Sequence, residues 1–147
     1  MPATDLHHLA IKTDDVDATV AFWNDLIGSR SVDRPDFPFP GAWLQFGTTM
    51  IHLYGGKAAA NRDGSFDRGS AAIDHVALAA EGFDEMRKTF VEKKLDWRQM
   101  DIPSFNIWQL FVHDPNGVLV ELNFDRTREP AGSKGPDDKN IYDPGNF

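Results

Sequence analysis

The pattern of apolar and polar positions predicts the same run of elements twice along the chain. A short apolar strand at Leu6–Lys12 precedes a stretch whose apolar residues recur every three or four positions, which is typical of an amphipathic helix. The same order of strand and helix begins again at Ile73–Ala79. The apolar positions of the predicted helices are Val16, Val20, Trp23 and Ile27 in the first, and Phe83, Met86, Phe90 and Val91 in the second. We expect Asp14 or Asp15 to cap the first helix and Gly28 to end it.

Two or three further strands follow each predicted helix. The predicted strands are Ala42–Phe46 and Thr49–Tyr54 in the first half, and Trp97–Ile102, Trp108–His113 and Val118–Phe124 in the second. The last two strands are joined by Asp114–Gly117 (DPNG), whose Pro and Asn-Gly favour a tight hairpin turn. Between helix and strands of the first half, Asp33–Gly41 (DRPDFPFPG) is predicted to be an irregular aromatic loop.

The two halves also align residue by residue. HLAI at His8 matches HVAL at His75, which is 67 residues later, and MIHLY around His52 matches LVELN around Glu121, which is 69 residues later. Two copies are too few for a solenoid. The sequence therefore predicts one α+β domain made of two pseudo-symmetric βαβββ modules.

We expect this single domain to span residues 1–147. Module one covers about 5–57, a linker covers 58–71, and module two covers about 72–126. The tail, 127–147, is rich in Gly, Pro and charge and is predicted to lie outside the core. Its end, IYDPGNF, has enough apolar side chains to dock on another surface, for example on a partner subunit.

Composition narrows the class of protein. The net charge of −8 and the pI near 4.9 argue against nucleic-acid binding, which needs a basic patch. No apolar run approaches the roughly 20 residues of a membrane span, and the beginning of the sequence lacks the pattern of a signal peptide. The chain has no cysteine, so disulfides and thiolate chemistry are excluded. We expect a cytoplasmic protein without a membrane partner.

Four ionisable residues interrupt apolar strands at matched positions of the repeat. These residues are His8, His52, His75 and Glu121. A carboxylate between Val120 and Leu122 is costly to bury without a partner, and a metal cation is such a partner. Neutral imidazoles with one carboxylate suit Zn²⁺, Fe²⁺, Ni²⁺ or Mn²⁺. Each residue alone fits a surface or hydrogen-bonded position, but the match favours a shared site. Alternation along the strand predicts that His7 points away from His8.

The stretches HHLAIKTDDVDATVAFWNDLIG, IDHVAL and FVHDPNGVLVELNF resemble the vicinal oxygen chelate superfamily, which includes glyoxalase I, extradiol dioxygenases and bleomycin-resistance proteins. The resemblance covers about residues 6–124 and implies that the modules form a U-shaped, mostly antiparallel sheet cup with helices outside. It implies that His8, His52, His75 and Glu121 are the ligands of a divalent metal: Zn, Ni, Mn, Co or Fe(II). Within the family, glyoxalase I usually has Glu or Gln where this chain has His52.

The resemblance also implies a function. We expect a metal-dependent isomerase or lyase of the glyoxalase type, acting on a small molecule that chelates the metal through two oxygens. Glu121 is then a ligand and a candidate general base, and a homodimer is expected. The predicted aromatic pocket wall consists of Phe39, Trp43, Tyr54, Phe105 and Trp108. Two alternatives stay open: an Fe(II) extradiol-type dioxygenase that uses His8, His75 and Glu121, and a metal-free small-molecule binding or resistance protein.

Overall fold

The computed structural model describes residues 3–147 and divides the chain into two units. The first unit contains the chain up to Gly69 together with Asp114–Asn116, and the second contains Ser70–His113 and Gly117–Phe147. Each unit is built on a four-stranded sheet with one module of βαβββ order. The predicted pair of βαβββ modules is therefore confirmed.

The first unit carries four strands, one helical segment and a short 3-10 turn at Gly56–Ala58. Its elements are β1 (His8–Lys12), α1 (Val16–Ala21) continued by a π-helical turn (Phe22–Ile27), β2 (Arg30–Val32), β3 (Gly41–Phe46) and β4 (Thr49–Tyr54). The strand order is β1-β4-β3-β2, and only the β1–β4 pair is parallel. Asp15 caps α1 by accepting a hydrogen bond from the Ala18 amide at 2.9 Å. Gly28 ends the helical segment in a left-handed conformation at φ +97°.

One face of the first sheet packs on the helical segment. Leu44 and Phe46 alternate with Trp43 and Gln45 on β3, so they share the face opposite Trp43. The Trp23 ring stacks near Phe46 at 6.2 Å between centroids and is fully buried. Its indole Nε1 donates to Asp114 Oδ2 at 3.3 Å. This packing leaves the other face of the sheet, which carries Trp43, to the candidate site.

The second unit repeats this plan. Its elements are β5 (Val76–Ala80), α2 (Phe83–Glu92), β6 (Trp97–Ile102), a 3-10 turn (Pro103–Phe105), β7 (Ile107–His113) and β8 (Leu119–Asp125). The strand order is β5-β8-β7-β6, with β5–β8 parallel and the other pairs antiparallel. Phe83 of α2 packs edge-on against Phe124 and Trp108, which places these two rings on the helix face. Within residues 3–147, no helix is long and apolar enough to cross a membrane.

The tail, residues 127–147, docks on the second unit and thus corrects the prediction that it lies outside the core. Ile141 forms a parallel bridge with Gln99 of β6. The Gln99 amide donates to the Asn140 carbonyl at 2.8 Å, and the Tyr142 amide donates to the Gln99 carbonyl at 2.9 Å. Tyr142 is only 8% exposed. Tyr142, in the apolar end of the tail, is therefore buried against its own chain.

Candidate metal centre

The first unit brings His8 and His52 together on one face of its sheet. His52 on β4 is in register with Trp43 on β3 and with Ala10 on β1, and paired residues project to the same face. His8 lies two residues before Ala10 and shares that face. The His8 and His52 rings stack at 3.9 Å, and the Trp43 ring stacks on the other side of His52 at 4.2 Å.

The imidazole of His52 is buried and has an unused nitrogen. The residue is 6% exposed, and its Nε2 has no hydrogen-bond partner within the described residues. A buried polar atom without a partner is costly and calls for an explanation. Burial, followed by the nearby His8 and His7 rings, lowers the pKa of His52 below its usual value. His52 is thus kept neutral, which is the form that binds metal ions.

His7 departs from the prediction that it points away from His8. The strand begins at His8, so the alternation of side chains does not extend to His7. Nδ1 of His7 lies 2.8 Å from Nδ1 of His8, and the two rings meet edge to face. This hydrogen bond uses Nδ1 of His8 and leaves its Nε2 for coordination.

The second unit brings His75 and Glu121 together. His75 Nε2 lies 3.2 Å from Glu121 Oε2, and His75 Nδ1 lies 2.7 Å from Asp74 Oδ1. When Asp74 accepts the Nδ1 proton of a neutral imidazole, the lone pair of Nε2 faces the carboxylate oxygen. Two acceptor atoms at this distance need a proton or a metal cation between them. The carboxylate–histidine arrangement is common around protein metal ions.

Two amide side chains hold the other oxygen of Glu121. Gln109 Nε2 donates to Glu121 Oε1 at 2.9 Å, and Asn123 Nδ2 donates to the same oxygen at 2.7 Å. Gln109 also donates to Asn123 Oδ1 at 2.9 Å. Gln109, Asn123 and Asp74 are not among the residues predicted from the sequence for this site. Their available signal was alternation, because Gln109 and Asn123 are register partners on the Glu121 face.

Three of the five predicted pocket aromatics lie at or beside the His52 face of the first sheet. Tyr54 is two residues from His52 on β4, and Phe39 packs edge-on against Tyr54 at 5.4 Å. Trp43 stacks on His52 directly. The remaining two, Phe105 and Trp108, belong to the second unit.

Phe105 and Trp108, the other two predicted pocket aromatics, lie away from the Glu121 face. Phe105 sits in the 3-10 turn and is 74% exposed. Trp108 pairs with Phe124 and faces α2, on the side of the sheet opposite Glu121. Phe111 is the register partner of Glu121, as Trp43 is of His52. The residue equivalent to Trp43 is therefore Phe111, whereas Trp108, which was predicted as a pocket-wall aromatic, lies on the opposite face of its sheet.

Each unit therefore holds two of the four predicted ligands, His8 with His52 and His75 with Glu121. Among residues 3–147, no three His, Asp or Glu side chains form a group that could hold a metal ion. The donor chemistry of each pair nevertheless suits a divalent metal. An unpartnered neutral imidazole nitrogen in one unit and a facing imidazole–carboxylate pair in the other are atoms that such an ion binds.

Paired βαβββ modules with an ionisable pair on one face of each sheet define a protein of the vicinal oxygen chelate type. The chain belongs to the Glyoxalase/Bleomycin resistance protein/Dioxygenase superfamily, whose family model matches residues 5–122. A relative from Arabidopsis thaliana, Glyoxylase I 4, is 26% identical over 125 residues, which are 81% of this chain and 70% of the relative.

Solved structures show the same fold. A lactoylglutathione lyase from Agrobacterium tumefaciens has a TM-score of 0.64 at 21% identity, covering 87% of this chain and 98% of its own. A genomically encoded fosfomycin resistance protein from Listeria monocytogenes has a TM-score of 0.65 at 14% identity, covering 85% of this chain and 99% of its own. The predicted fold is thus shared with proteins of different named activities.

Proposed function

We propose that this protein is a metal-dependent lyase or isomerase of the glyoxalase type, with His8, His52, His75 and Glu121 as its metal ligands. Its substrate is a small molecule that chelates the metal through two oxygens. The observation that carries the proposal is the buried, unpartnered Nε2 of His52, because a neutral imidazole held in this way is a ready metal ligand. The similarity to a protein named Glyoxylase I 4 supports this class of reaction.

The side chains around Glu121 give its two carboxylate oxygens different roles. Gln109 and Asn123 donate to Oε1, which leaves Oε2 to bind a cation or to accept a proton from the substrate. Asp74 holds the proton of His75 on Nδ1 and so keeps Nε2 available. A bound divalent metal would supply Lewis-acid stabilisation of the negative charge that develops when the substrate loses its proton.

Four protein ligands favour a reaction without redox chemistry. With all four bound, a divalent metal would have room for two neighbouring substrate oxygens. A dioxygenase of the extradiol type would need three open positions and therefore the release of His52. The stacking of His52 between His8 and Trp43 at 3.9 and 4.2 Å opposes that release.

Metal content tests the proposed ligands. We expect wild-type protein, loaded with Zn²⁺ or Ni²⁺ and freed of excess ion, to hold stoichiometric metal by mass spectrometry. His52→Ala and Glu121→Ala should lose it, while His113→Ala, at a histidine outside the predicted ligand set, should keep it. Circular dichroism of each variant shows whether the fold is intact. Retention of stoichiometric metal by both ligand variants would show that the site is assigned incorrectly.

Activity then separates the classes of enzyme. S-Lactoylglutathione is the first compound to test, because one structural relative is named a lactoylglutathione lyase. We expect the protein with Zn, Ni, Co or Mn bound to turn this compound over or to be inhibited by chelating analogues of it. Ring cleavage of catechols that requires both iron and O₂ would instead support the dioxygenase. Full ligand binding by metal-stripped protein would support a binding or resistance protein.

A further inference from the structure

The tail of the second unit wraps around the edge of its sheet. On the helix side, Arg87 donates to the Gly135 carbonyl at 2.7 Å. At the edge, the side chain of Gln99 donates to Asp137 Oδ1 at 2.7 Å and to the Lys139 carbonyl at 2.6 Å. Beyond this point the chain pairs with β6 and continues to the opposite face, which is the face of Glu121. The tail thus connects the two sides of the sheet.

Tyr142 lies on the Glu121 face at a fixed position. Its backbone amide is held by the Gln99 carbonyl at 2.9 Å, and its ring stacks on Phe111 at 3.7 Å with an interplanar angle of 8°. Phe111 is the register partner of Glu121, so their Cβ atoms are neighbours on one face at roughly 5 Å. Through Phe111, the ring of Tyr142 is thus linked to the Glu121 position on the same face of the sheet.

The surroundings of Tyr142 form an apolar surface. Phe111, Leu119 and Tyr142 make a buried cluster, against which Met100 and Phe147 pack. The ring contacts of the Tyr142 side chain and the backbone hydrogen bond of its residue hold it in place. Burial raises the pKa of Tyr142 above its usual value, and the charges of Asp74 and Glu121 raise it further, in agreement with a phenol near both carboxylates.

We propose that Tyr142 is a specificity-determining residue whose ring forms a wall of the substrate site beside Glu121. This wall selects chelating substrates that carry an aromatic or other planar apolar group next to their two oxygens. The inference rests on the proposed function in one respect, which is that Glu121 belongs to the substrate site. The ring of Tyr142 stacks on Phe111, and the pairing of the tail with β6 fixes the position of Tyr142.

A single introduced cysteine tests the wall without any metal. The natural chain has no cysteine, so Glu121→Cys creates one thiol at the proposed site. The probes are N-methylmaleimide and N-cyclohexylmaleimide, which share one reactive group and differ in bulk. We expect Tyr142→Ala in this background to raise the rate with the bulky probe severalfold more than the rate with the small one. Ile141→Ala, at a half-exposed neighbouring position, is the matched control and should change neither rate.

Binding to the metal-loaded protein tests the selection of substrate. Acetohydroxamate and benzohydroxamate chelate through the same two oxygens and differ in one aromatic ring. Loss of an aromatic contact worth about 1 kcal/mol corresponds to about fivefold in affinity, so Tyr142→Ala should weaken benzohydroxamate about fivefold and leave acetohydroxamate unchanged. Tyr142→Phe keeps the ring and should bind both compounds like the natural protein. Calorimetric titration measures all of these affinities.

The two experiments distinguish a failure of the proposed Tyr142 wall from a failure of the proposed function. A labelling ratio that does not respond to Tyr142→Ala overturns the wall, whatever the metal content. Tyr142-dependent labelling in a chain that holds no metal supports the wall and contradicts the proposed enzymatic function. Stoichiometric metal with equal loss of both hydroxamates in Tyr142→Ala would overturn the selection of aromatic substrates, because the residue would then act on the metal site as a whole.

Discussion

The histidines of the two units are fixed by different physical means. His52 is held by stacking between two rings and has no hydrogen bond at Nε2 within the described residues, while His75 is exposed on one side and is oriented by Asp74. A carboxylate behind a ligating imidazole fixes the tautomer and increases the basicity of the other nitrogen. Asp74 should therefore contribute to metal affinity although it touches no metal itself.

Removal of the Asp74 carboxylate tests this role. We expect Asp74→Ala to lower metal affinity at least about tenfold, the low end of what such partners contribute, because His75 loses its fixed tautomer and orientation. Competition with a chromogenic chelator measures the affinity. Asp101→Ala, which removes another exposed carboxylate of the same unit, is the control and should have the affinity of the natural protein. Equal affinities in the two variants would show that Asp74 does not position His75.

Single residues also show which features of the site a sequence pattern does not predict. The four candidate ligands could be predicted because the repeat marks them, yet the face on which an aromatic residue lies depends on register. Trp108 and Phe111 are three residues apart on β7, and an odd separation places them on opposite faces. Only the pairing of β7 with β8 shows that Phe111 is the partner of Glu121. His7 was misplaced because the start of a strand is set by its pairing with β4.

At the scale of elements, the βαβββ order followed from hydrophobic periodicity, whereas two features required the folded chain. β2 has only three residues, Arg30–Val32, which is too short to leave an alternating pattern. The tail has a polar, Gly- and Pro-rich sequence, and its order comes from contacts with distant residues such as Gln99 and Phe111. Local propensity cannot indicate such contacts, because they are formed by the sheet on which the segment docks.

The docked tail should respond to alkaline pH through Tyr142. Burial raises the pKa of its phenol in the folded state, so folding favours the protonated form. This stabilisation is complete below the ordinary tyrosine pKa of about 10 and is lost as the pH rises through the higher folded value. We expect metal-free natural protein to lose more unfolding free energy than Tyr142→Phe between about pH 9 and about pH 11, measured by urea denaturation. A parallel decline of both proteins would contradict this assignment.

At the scale of the whole molecule, each unit carries one pair of predicted ligands beside an outer strand of its own sheet. These outer strands are β1, which begins with His8, and β5, which directly follows His75. Leu6 and Ile73, at matched positions just before these strands, are 69% and 60% exposed. Apolar residues exposed beside sheet edges are typical of association surfaces. They fit the expectation of a homodimer that the family resemblance gave.

A homodimer gives a specific expectation for the metal site, because a two-fold interface presents the same surfaces of both chains to each other. We expect His8 and His52 of one chain to share a metal with His75 and Glu121 of another. Chains with His8→Ala and His52→Ala should bind no metal alone, and neither should chains with His75→Ala and Glu121→Ala. Co-expressed under different tags and purified as a mixed dimer, the two should regain one site, since one complete set of ligands survives. Two-tag purification with metal analysis measures this. A mixed dimer without metal would show that each chain supplies all four ligands to its own ion. In that arrangement, each of the two sites in the mixed dimer lacks two of its ligands.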